Sequence, residues 1–449
     1  MQHVGRISAI AVVAVVLVVG GVLVACDGDE RGPDQVLEDF LDGWRAGDLD
    51  GVPLVDPQGS PRTGADVLAE IDLLAGDLDA RRVNATAMPS RVVDGSADAT
   101  VRIEWGVVQD VVWPYQTTVR LRELDDAWRV VFEPAVVHPR LTVGQHLAGQ
   151  RLDAARGSIL GGDDGPIFGP LAPTNGFAQG LLGTVGEVTP VQLAAEPGRY
   201  LPGERVGQSG LQQLYDDVLR GRPGVVIWIA GAPDPLFQAD PKAGAALRTT
   251  IDARLQAAAD AALVGQGGAC ALVAVRVSDG AIVAVANGPE GTGENLAFTA
   301  STTPGPAFTP LTALGADVGF GTTWHLGVPV DTSASPVALA VATATIARGS
   351  WRTPRLFPSL PPGAPAPEPG PAGDPPEDGA APLGTAVASL RDTLVAGDAG
   401  LPATARARVG LSGSDSWVTG WQGDVAFTVL VRNGDGAVDV VEAFLRRLA

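Results

Sequence analysis

Lysine is almost absent from this sequence of 449 residues. Of its 31 basic residues only Lys242 is a lysine, and arginine supplies all the others. Because the arginine guanidinium stays protonated in proteins, it cannot act as a general base. Any reaction that needs a lysine able to lose its proton therefore has a single candidate. The residues before that lysine, QADP, exclude an S-x-x-K motif at this position.

Cysteine and histidine are also scarce. The two cysteines, Cys26 and Cys270, cannot build a disulfide framework or a cysteine metal site. The four histidines, at positions 3, 138, 146 and 325, are scattered and show no H-E-x-x-H spacing. The sequence therefore predicts no metal site and no cofactor. Cys270 precedes an apolar run, and we expect it to be a buried structural residue.

Positive charge is deficient in the chain as a whole. The formal net charge is −20 and the isoelectric point is about 4.5. Nucleic acid requires a basic face, so the composition argues against a nucleic-acid partner. It also disfavours electrostatic binding to anionic lipids. The length allows two to four domains, each with its own core, and the acidic surface is typical of a soluble globular protein.

The N-terminus carries an uncharged apolar segment at residues 7–25, preceded by Arg6. This length is typical of a signal peptide or of a membrane-spanning helix. The segment runs into LVAC, which ends at Cys26, and then into the acidic DGDE. Small and branched residues before a cysteine resemble a bacterial lipobox, which implies cleavage before Cys26 and lipid attachment to it. An uncleaved anchor is the alternative, and both place the rest of the chain on the extracytoplasmic face of the cell membrane.

The first part of the remaining chain is predicted to be a small α+β domain. PDQVLEDFLDGWRAGD places five large apolar side chains on one helical face, and a second helix is predicted around ADVLAEIDLLAG. TVRIEW alternates apolar and polar residues, as a half-buried strand does. QTTVRLREL and WRVVF, joined by an acidic turn at Asp125 and Asp126, predict a hairpin. Two helices followed by a strand meander indicate a curved sheet wrapped around a helix.

The middle of the chain is irregular and rich in glycine, and its clearest element is one helix within residues 206–224. There Leu211, Leu214, Tyr215 and Val218 recur at helical spacing. A third unit begins near residue 247, where LRTTIDARLQAAADAAL predicts a helix capped by a threonine. A hairpin, ALVAVRVSDGAIVAVAN, follows, then the helical segments LTALGADVGF and PVALAVATATIARG. A final strand pair, SWVTGWQGDVAFTVLVRN, and the helix VDVVEAFLRRL complete an α/β layered domain.

These segments, taken in order, resemble the class B penicillin-binding proteins. RGSIL, with GGDDGPI after it, is similar to the start of the family's non-catalytic domain, and VGQSGLQQLYDDVLRGRPG is similar to its hinge-region helix. TTIDARLQAAADAAL, ALVAVRVSDGAIVAVANGP, IARGSWRTPRLFP and SWVTGWQGDVAFTVLV resemble successive parts of the transpeptidase domain. The N-terminal α+β region resembles the nuclear-transport-factor-2-like domain that precedes some members.

The resemblance implies a peptidoglycan D,D-transpeptidase, in which the serine of an S-x-x-K motif attacks a stem peptide and is trapped by β-lactams. Serine is a weak nucleophile and needs an adjacent base. In this family the base is the lysine one helical turn later, whose pKa can be lowered by burial. An S-x-N motif and a K-T-G motif on an edge strand complete the family's site.

All three motifs are degenerate in this chain. The segment PGPAFT stands where the family has P-G-S-x-x-K, so that Pro306 occupies the nucleophile position and Thr309 the base position. No asparagine occurs between Asn295 and Asn433, which leaves no S-x-N motif. The block between the first and third motifs is also shorter than the family norm. The chemistry therefore argues against the family's acyl transfer.

The segment GLSGS stands where the family has G-K-T-G-T. Leu411 replaces the lysine, whereas Ser412 and Gly413 keep the small and hydroxylic character of the strand. The same segment resembles a loose G-x-S-x-G nucleophile elbow around Ser412. No histidine lies nearby in the sequence, so we interpret Ser412 as a residue of the strand.

We therefore predict a multidomain α+β protein with a cone-like α+β N-terminal domain, an irregular dimerisation-type linker domain and a shortened transpeptidase-like α/β sandwich. The predicted segments are a lipoprotein signal peptide at 1–26, a nuclear-transport-factor-2-like domain at 27–137, a dimerisation-like domain at 138–245 and a transpeptidase-like domain at 246–449. A proline-rich insert at 361–382 cannot form a packed core and is predicted to be a surface loop.

Three functional hypotheses follow. The first is a non-catalytic member of the family, a lipid-anchored protein that binds a peptidoglycan stem peptide or a cell-wall synthesis protein. The second is an active D,D-transpeptidase that uses other residues. The third is a small-ligand-binding protein whose N-terminal domain has an apolar pocket lined by Trp105, Trp113 and Trp128.

Overall fold

The computed structural model describes residues 31–76, 78, 82–108, 111–168, 179–197, 199–288, 295–305, 308, 333–360, 362, 377–381 and 384–448. These residues form two compact units. The first contains residues 31–76, Arg82–Trp105 and Pro114–His146, and the second contains Gly106–Trp113 and the chain from Leu147 onward.

The first unit is built on a mixed sheet and three helices. The helices are α1 (Pro33–Ala46), α2 (Gly64–Ala75) and α3 (Pro134–Val137). The strands are β1 (Leu54–Val55), β2 (Pro61–Arg62), β3 (Arg82–Ala87), β4 (Arg91–Val93), β5 (Ser96–Val108), β6 (Val111–Leu124) and β7 (Ala127–Val131). The strand order is β2-β1-β7-β6-β5-β3, and β4 also pairs with β5. Strand β1 is parallel to β7 and antiparallel to β2.

The sequence pattern explains how this unit folds. Helix α1 has a proline in its first turn, where no backbone donor is lost, and it ends at Gly47 in the left-handed conformation with φ 72°. Its buried residues are the predicted ones, Val36, Leu37, Phe40, Leu41 and Trp44. Strand β5 alternates buried and more exposed positions, so its buried face covers the core while the other face meets water. The predicted helices and the β6–β7 hairpin are thus confirmed.

The first part of the second unit contains short elements. The helices are α4 (Gln179–Leu182), α5 (Pro190–Ala195), α6 (Gly210–Leu214) and α7 (Asp216–Leu219). The strands are β8 (Leu147–Leu152), β9 (Ile159–Leu160), β10 (Pro166–Phe168), β11 (Val185–Glu187), β12 (Arg205–Gly207), β13 (Gly224–Ile229), β14 (Pro235–Ala239) and β15 (Leu247–Arg248). They form three small sheets, ordered β14-β13-β8, β10-β9-β15 and β11-β12.

The single helix predicted within residues 206–224 is wrong, because α6 and α7 are separated at Tyr215. The break follows from the buried carboxylate of Asp216, which is 2% exposed. It accepts a hydrogen bond from the Gly207 backbone N–H at 2.7 Å and forms an ion pair with Arg156 at 2.8 Å. Arg156 also donates to the side-chain oxygen of Gln212 at 2.7 Å. These buried polar contacts fix the backbone more strongly than the apolar periodicity does.

The rest of the second unit is a six-stranded antiparallel sheet with helices on both faces. Its strands are β16 (Cys270–Arg276), β17 (Ile282–Asn287), β18 (Val395–Ala396), β19 (Arg406–Ser412), β20 (Asp415–Gln422) and β21 (Val425–Val431). Its helices are α8 (Ala253–Leu263), α9 (Leu296–Thr299), α10 (Pro336–Arg348), α11 (Ala386–Thr393) and α12 (Ala437–Leu448), with a 3-10 turn at Asp398–Gly400. The strand order is β17-β16-β21-β20-β19-β18.

Two apolar clusters place this sheet between helices. Alternate residues of β16, such as Val273 and Leu272, belong to different clusters. The cluster with Val273 includes α10, and the cluster with Leu272 includes α8 and α12. The predicted layered arrangement is therefore confirmed. The predicted threonine cap is wrong, because the side chain of Asp252 accepts a hydrogen bond from the Leu255 N–H and begins α8.

Several predictions fall outside the described residues. These are the apolar segment at 7–25 with Cys26, the helical segment LTALGADVGF, and the proline-rich insert at 361–382 apart from 362 and 377–381. Among the described residues, no helix has the length and apolar character needed to cross a membrane. Cys270 is fully buried, as predicted.

Candidate functional site

The residues that resemble the first and third catalytic motifs come together in the second unit. Gly305, the glycine of PGPAFT, lies against strand β19 with φ 91°. A Cβ atom built on Gly305 would lie 2.9 Å from the carbonyl oxygen of Leu411 and 3.6 Å from the Cβ of Ser412. Only glycine allows both this positive φ and this close backbone approach. The fold therefore joins two segments that are far apart in the sequence.

A second contact, between Phe308 and Gly410, joins the same two segments. The Phe308 side chain is fully buried, and its ring lies over Gly410 on β19. A Cβ on Gly410 would overlap this ring, with the Phe308 Cδ2 and Cζ atoms at 3.2 Å. Gly410 pairs with Trp417 on β20, whose side chain is also fully buried. The glycine thus provides the space that lets Phe308 pack against the sheet.

Strand β19 presents an open edge at this site. On one side β20 pairs with the whole strand, from Arg406 to Ser412. On the other side β18 pairs only with Arg406 and Ala407. In the described part of the chain, no strand covers the second edge from Arg408 to Ser412. Among the described residues, the backbone donors and acceptors on this edge therefore have no strand partner.

The chemistry at this edge differs from that of an acyltransferase. Leu411, the predicted counterpart of the family's lysine, has 65% of its surface exposed. Ser412 lies at the end of the strand, opposite Asp415, and Gly413 follows it in the turn with φ 59°. The hydroxyl of Ser414 donates to the side-chain oxygen of Asn433 at 2.8 Å. This edge thus carries hydroxyl groups and an exposed alkyl side chain.

The usual nitrogen bases, histidine and lysine, are nearly absent from the described residues of the second unit. Histidine is absent from them, and Lys242 is their only lysine. The backbone of Lys242 pairs with that of Arg222, in a different segment from β19. Arg408 is the basic residue closest to Leu411 along β19, and its guanidinium donates to the carbonyl of Thr393 at 2.9 Å. We therefore keep the interpretation of Ser412 as a residue of the strand.

Pro306 and Thr309, the predicted nucleophile and base positions, lie outside the described residues, as do residues 310–332. Their flanking residues Gly305 and Phe308 are described, and the two contacts with β19 rest on these alone. The sequence identified all of these positions by their motif. It gave no signal for the contact of Phe308 with Gly410, because that contact joins residues about a hundred positions apart.

The predicted tryptophan pocket stays a prediction, and the three tryptophans have different surroundings. The Trp105 indole donates to the Tyr115 hydroxyl at 2.8 Å, and its ring packs at its edge on Trp44. Trp113 belongs to the second unit, where its ring stacks on Phe237 with centroids 6.1 Å apart. Trp128 is half-buried in β7. The cleft described in the first unit is lined by none of these three residues.

Comparisons with known proteins support the organisation seen in the fold. A family model described as the NTF2-like N-terminal transpeptidase domain matches residues 32–145. A second model, the penicillin-binding protein dimerisation domain, matches residues 172–232. The two matches support a class B penicillin-binding-protein-like organisation of this chain. The N-terminal match ends at 145 and the first compact unit at His146. The predicted boundary at residue 137 stays a prediction.

Solved structures of penicillin-binding proteins are similar to this penicillin-binding-protein-like chain. PBP2 of Pseudomonas aeruginosa, in complex with WCK 5153, is 16% identical, with a TM-score of 0.45 over 67% of this chain and 96% of that chain. PBP2 of Helicobacter pylori, in complex with MreC, is 12% identical, with a TM-score of 0.47 over 67% and 98%.

A third structure, described as a peptidoglycan synthase complex that coordinates polymerization and crosslinking, is 15% identical, with a TM-score of 0.50 over 68% of this chain and 91% of that chain. At this identity the likeness shows the fold. No curated protein matches the chain.

Proposed function

We propose that this protein is a non-catalytic member of the penicillin-binding protein family, anchored by a lipid at Cys26 on the extracytoplasmic face of the cell membrane. Its role is to bind a peptidoglycan stem peptide or a cell-wall synthesis protein rather than to cross-link peptidoglycan. The observation that carries this proposal is that the two motif segments are in contact while their side chains differ from those of the family. Gly305 and β19 are held together, whereas Leu411 exposes an alkyl group where the family has a lysine.

The missing groups are those that acyl transfer needs most. A nucleophile must carry a lone pair that can attack the carbonyl carbon, and Pro306 has no side-chain oxygen. A general base must have a pKa near the working pH, and the hydroxyl of Thr309 is no base near neutrality. Loss of a nucleophile and its base together removes most of the rate of such an enzyme. The alternative, an active D,D-transpeptidase that uses other residues, gains no support from the described residues.

The open edge of β19 supports a binding role. An extended peptide can add to such an edge through backbone hydrogen bonds, and the side chains beside it determine which peptide fits. Leu411 offers an apolar contact there, whereas a lysine would attract a terminal carboxylate. We therefore expect the site to prefer an uncharged, mid-chain segment of a peptide to a free C-terminus.

The partner class is taken from the similar structures. One of them holds PBP2 with MreC, and another is described as a peptidoglycan synthase complex. By analogy, we propose that this protein acts within an assembly for cell-wall synthesis. The third hypothesis, small-ligand binding by a tryptophan pocket, is not carried forward, because the cleft described in the first unit is lined by none of the three tryptophans.

A stem-peptide assay tests the proposal. The mature chain from residue 27 is mixed with a stem pentapeptide that ends in D-Ala-D-Ala, and free D-alanine is measured together with the heat of binding. We expect no D-alanine above the buffer control. We also expect tighter binding of the C-terminally amidated pentapeptide than of the free acid, and Leu411→Lys should reverse this order. Release of D-alanine that grows with protein concentration would contradict the proposal.

The anchor is tested separately. Cells that express the full chain or Cys26→Ala are labelled with radioactive palmitate and then fractionated. The full chain should carry label and stay with the membrane, whereas the variant should lose the label. A labelled Cys26→Ala variant would contradict lipid attachment at this residue.

A further inference from the structure

A cleft of about 310 Å³ lies in the first unit, between α1 and the segment that begins with β3. Its walls include Leu37, Leu41 and Ala85, which are buried, and Ala87, Met88 and Pro89 beyond them. The volume is at the lower end of the range of ligand sites, about 300–1,000 Å³. Met88 is 50% exposed, so apolar surface reaches the mouth of the cleft.

Strand β3 ends the sheet on this side. In the described part of the chain, β5 is the one strand that pairs with it. The Met88 N–H, directly after β3, donates to the Thr100 carbonyl on β5 at 2.9 Å. Because backbone groups of successive strand residues point to opposite sides, the N–H groups of Ala85 and Ala87 face away from β5. Within the described ranges, the backbone donors and acceptors on the edge of β3 beside the cleft therefore have no strand partner.

Acidic side chains line the helical wall of the cleft. Asp34 and Glu38 stand one turn apart on α1, and both are exposed. Neither forms an ion pair among the described residues, and like charges at this spacing repel each other. Hydrogen bonding from Ser90, through its side chain and through its backbone N–H at 2.9 Å, lowers the pKa of the Asp34 carboxyl. The Arg45 guanidinium, at the other end of the cleft, is already paired with Asp42.

We propose that the edge of β3 binds an extended, cationic polypeptide segment of another protein by strand addition. The backbone of the segment bonds to Ala85 and Ala87, its small apolar side chains enter the cleft, and a lysine or arginine meets Asp34 and Glu38. A second copy of this chain fits less well, because the net charge of −20 opposes self-association. The proposal is independent of the site at β19 and goes beyond the function proposed above.

The test uses fluorescence anisotropy with the mature chain from residue 27 and a labelled peptide, acetyl-KVTVKV-amide. Acetyl-EVTVEV-amide serves as the acidic counterpart. The cationic peptide should bind, and the acidic one should bind more weakly by about fivefold or more. N-methylation of alternate residues in the cationic peptide should also weaken binding, since it removes the backbone donors. Equal binding of the cationic and acidic peptides would overturn the proposal.

Matched variants locate the binding. Ala87→Pro removes one outward N–H and should weaken binding about fivefold. Glu38→Lys should weaken binding of the cationic peptide, and the control Asp72→Lys, on the exposed face of α2, should not. Circular dichroism confirms that each variant is folded, and the N-methylated peptide gives the answer on wild-type protein if Ala87→Pro does not fold.

Two results obtained with the variants would overturn the proposal. One is an unchanged affinity in both Ala87→Pro and Glu38→Lys. The other is a concentration-dependent dimer in sedimentation that Ala87→Pro abolishes, which would assign the β3 edge to a second copy. Because all of these residues belong to the first unit, a failure here leaves the stem-peptide assay for the second unit unaffected.

Discussion

Substitution of Gly410 by alanine tests whether the two motif segments pack on each other as the structure shows. The new methyl group would be directed at the ring of Phe308, whose Cδ2 and Cζ atoms would be 3.2 Å from it. This separation is shorter than an ordinary van der Waals contact. The side chains of Phe308 and of Trp417 are both fully buried, so the Phe308 ring has little room to move. Overpacking of this kind costs about 1–3 kcal/mol of the free energy of unfolding.

The substitution Phe308→Ala, alone and combined with Gly410→Ala, separates the steric clash from other effects on stability. Phe308→Ala alone removes a fully buried ring and should cost about 3–5 kcal/mol. In the double variant the methyl group on residue 410 enters the space left by the ring, so its own cost should nearly vanish. The double-mutant cycle should therefore show a coupling of about 1–3 kcal/mol in the direction of rescue.

Urea unfolding of the mature chain from residue 27, followed by tryptophan fluorescence, measures these free energies. One of the nine tryptophans, the buried Trp417, lies opposite Gly410 on the neighbouring strand. Gly413→Ala, in the open turn, is a control for glycine replacement without a clash, although its positive φ adds strain of its own. Additive effects of Gly410→Ala and Phe308→Ala would refute the contact.

Three further predictions concern buried polar groups. Arg156→Ala should cost about 3–5 kcal/mol in urea unfolding, because it leaves the Asp216 carboxylate buried without its closest cation; a cost below about 1 kcal/mol would contradict the role of this pair. Burial lowers the pKa of His138 from 6.5 to about 4 in the folded protein, so stability should be lost as the pH falls from about 6.5 to about 4. His138→Phe should lack that part of the pH dependence in thermal melts, and an identical pH profile would contradict it. Cys270 should react with a thiol reagent only after denaturation, and fast labelling of the native protein would contradict its burial.

Local patterns predicted most of the regular elements correctly. The face of α1, the β6–β7 hairpin, β16, β17 and the closing strand pair with α12 are set by apolar periodicity and by turn residues near in sequence. For such elements the burial pattern is a direct consequence of which side chains must leave water. The identity of the motif positions could also be predicted, because they depend on residue order alone.

Long-range polar contacts caused the errors. The helix predicted through Tyr215 is broken because Asp216 accepts the Gly207 N–H and pairs with Arg156, a residue 60 positions away. The cap of α8 is Asp252 rather than a threonine, and Thr250 instead donates to the carbonyl of Ile282 at 2.7 Å. In both cases a distant partner competes with a local one, and a short stretch of sequence does not show the distant partner.

The β3 edge was missed for a different reason. The strand sequence RVNATA alternates polar and apolar residues, but two of its three apolar residues are alanines, so its hydrophobic signal is much weaker than that of β5. Its place at the end of the sheet depends on which strands pair, and the cleft depends on how α1 packs beside it. Both are properties of the tertiary fold.

The central claim is that the joined site of this penicillin-binding-protein-like chain has lost its acyl chemistry. The most direct measurement is the intact mass of the folded mature chain after incubation with a β-lactam, with an active penicillin-binding protein as the positive control. The account predicts an unchanged mass for this chain and a stoichiometric adduct for the control. A stoichiometric adduct on this chain would contradict the claim, and peptide mapping would then identify the nucleophile.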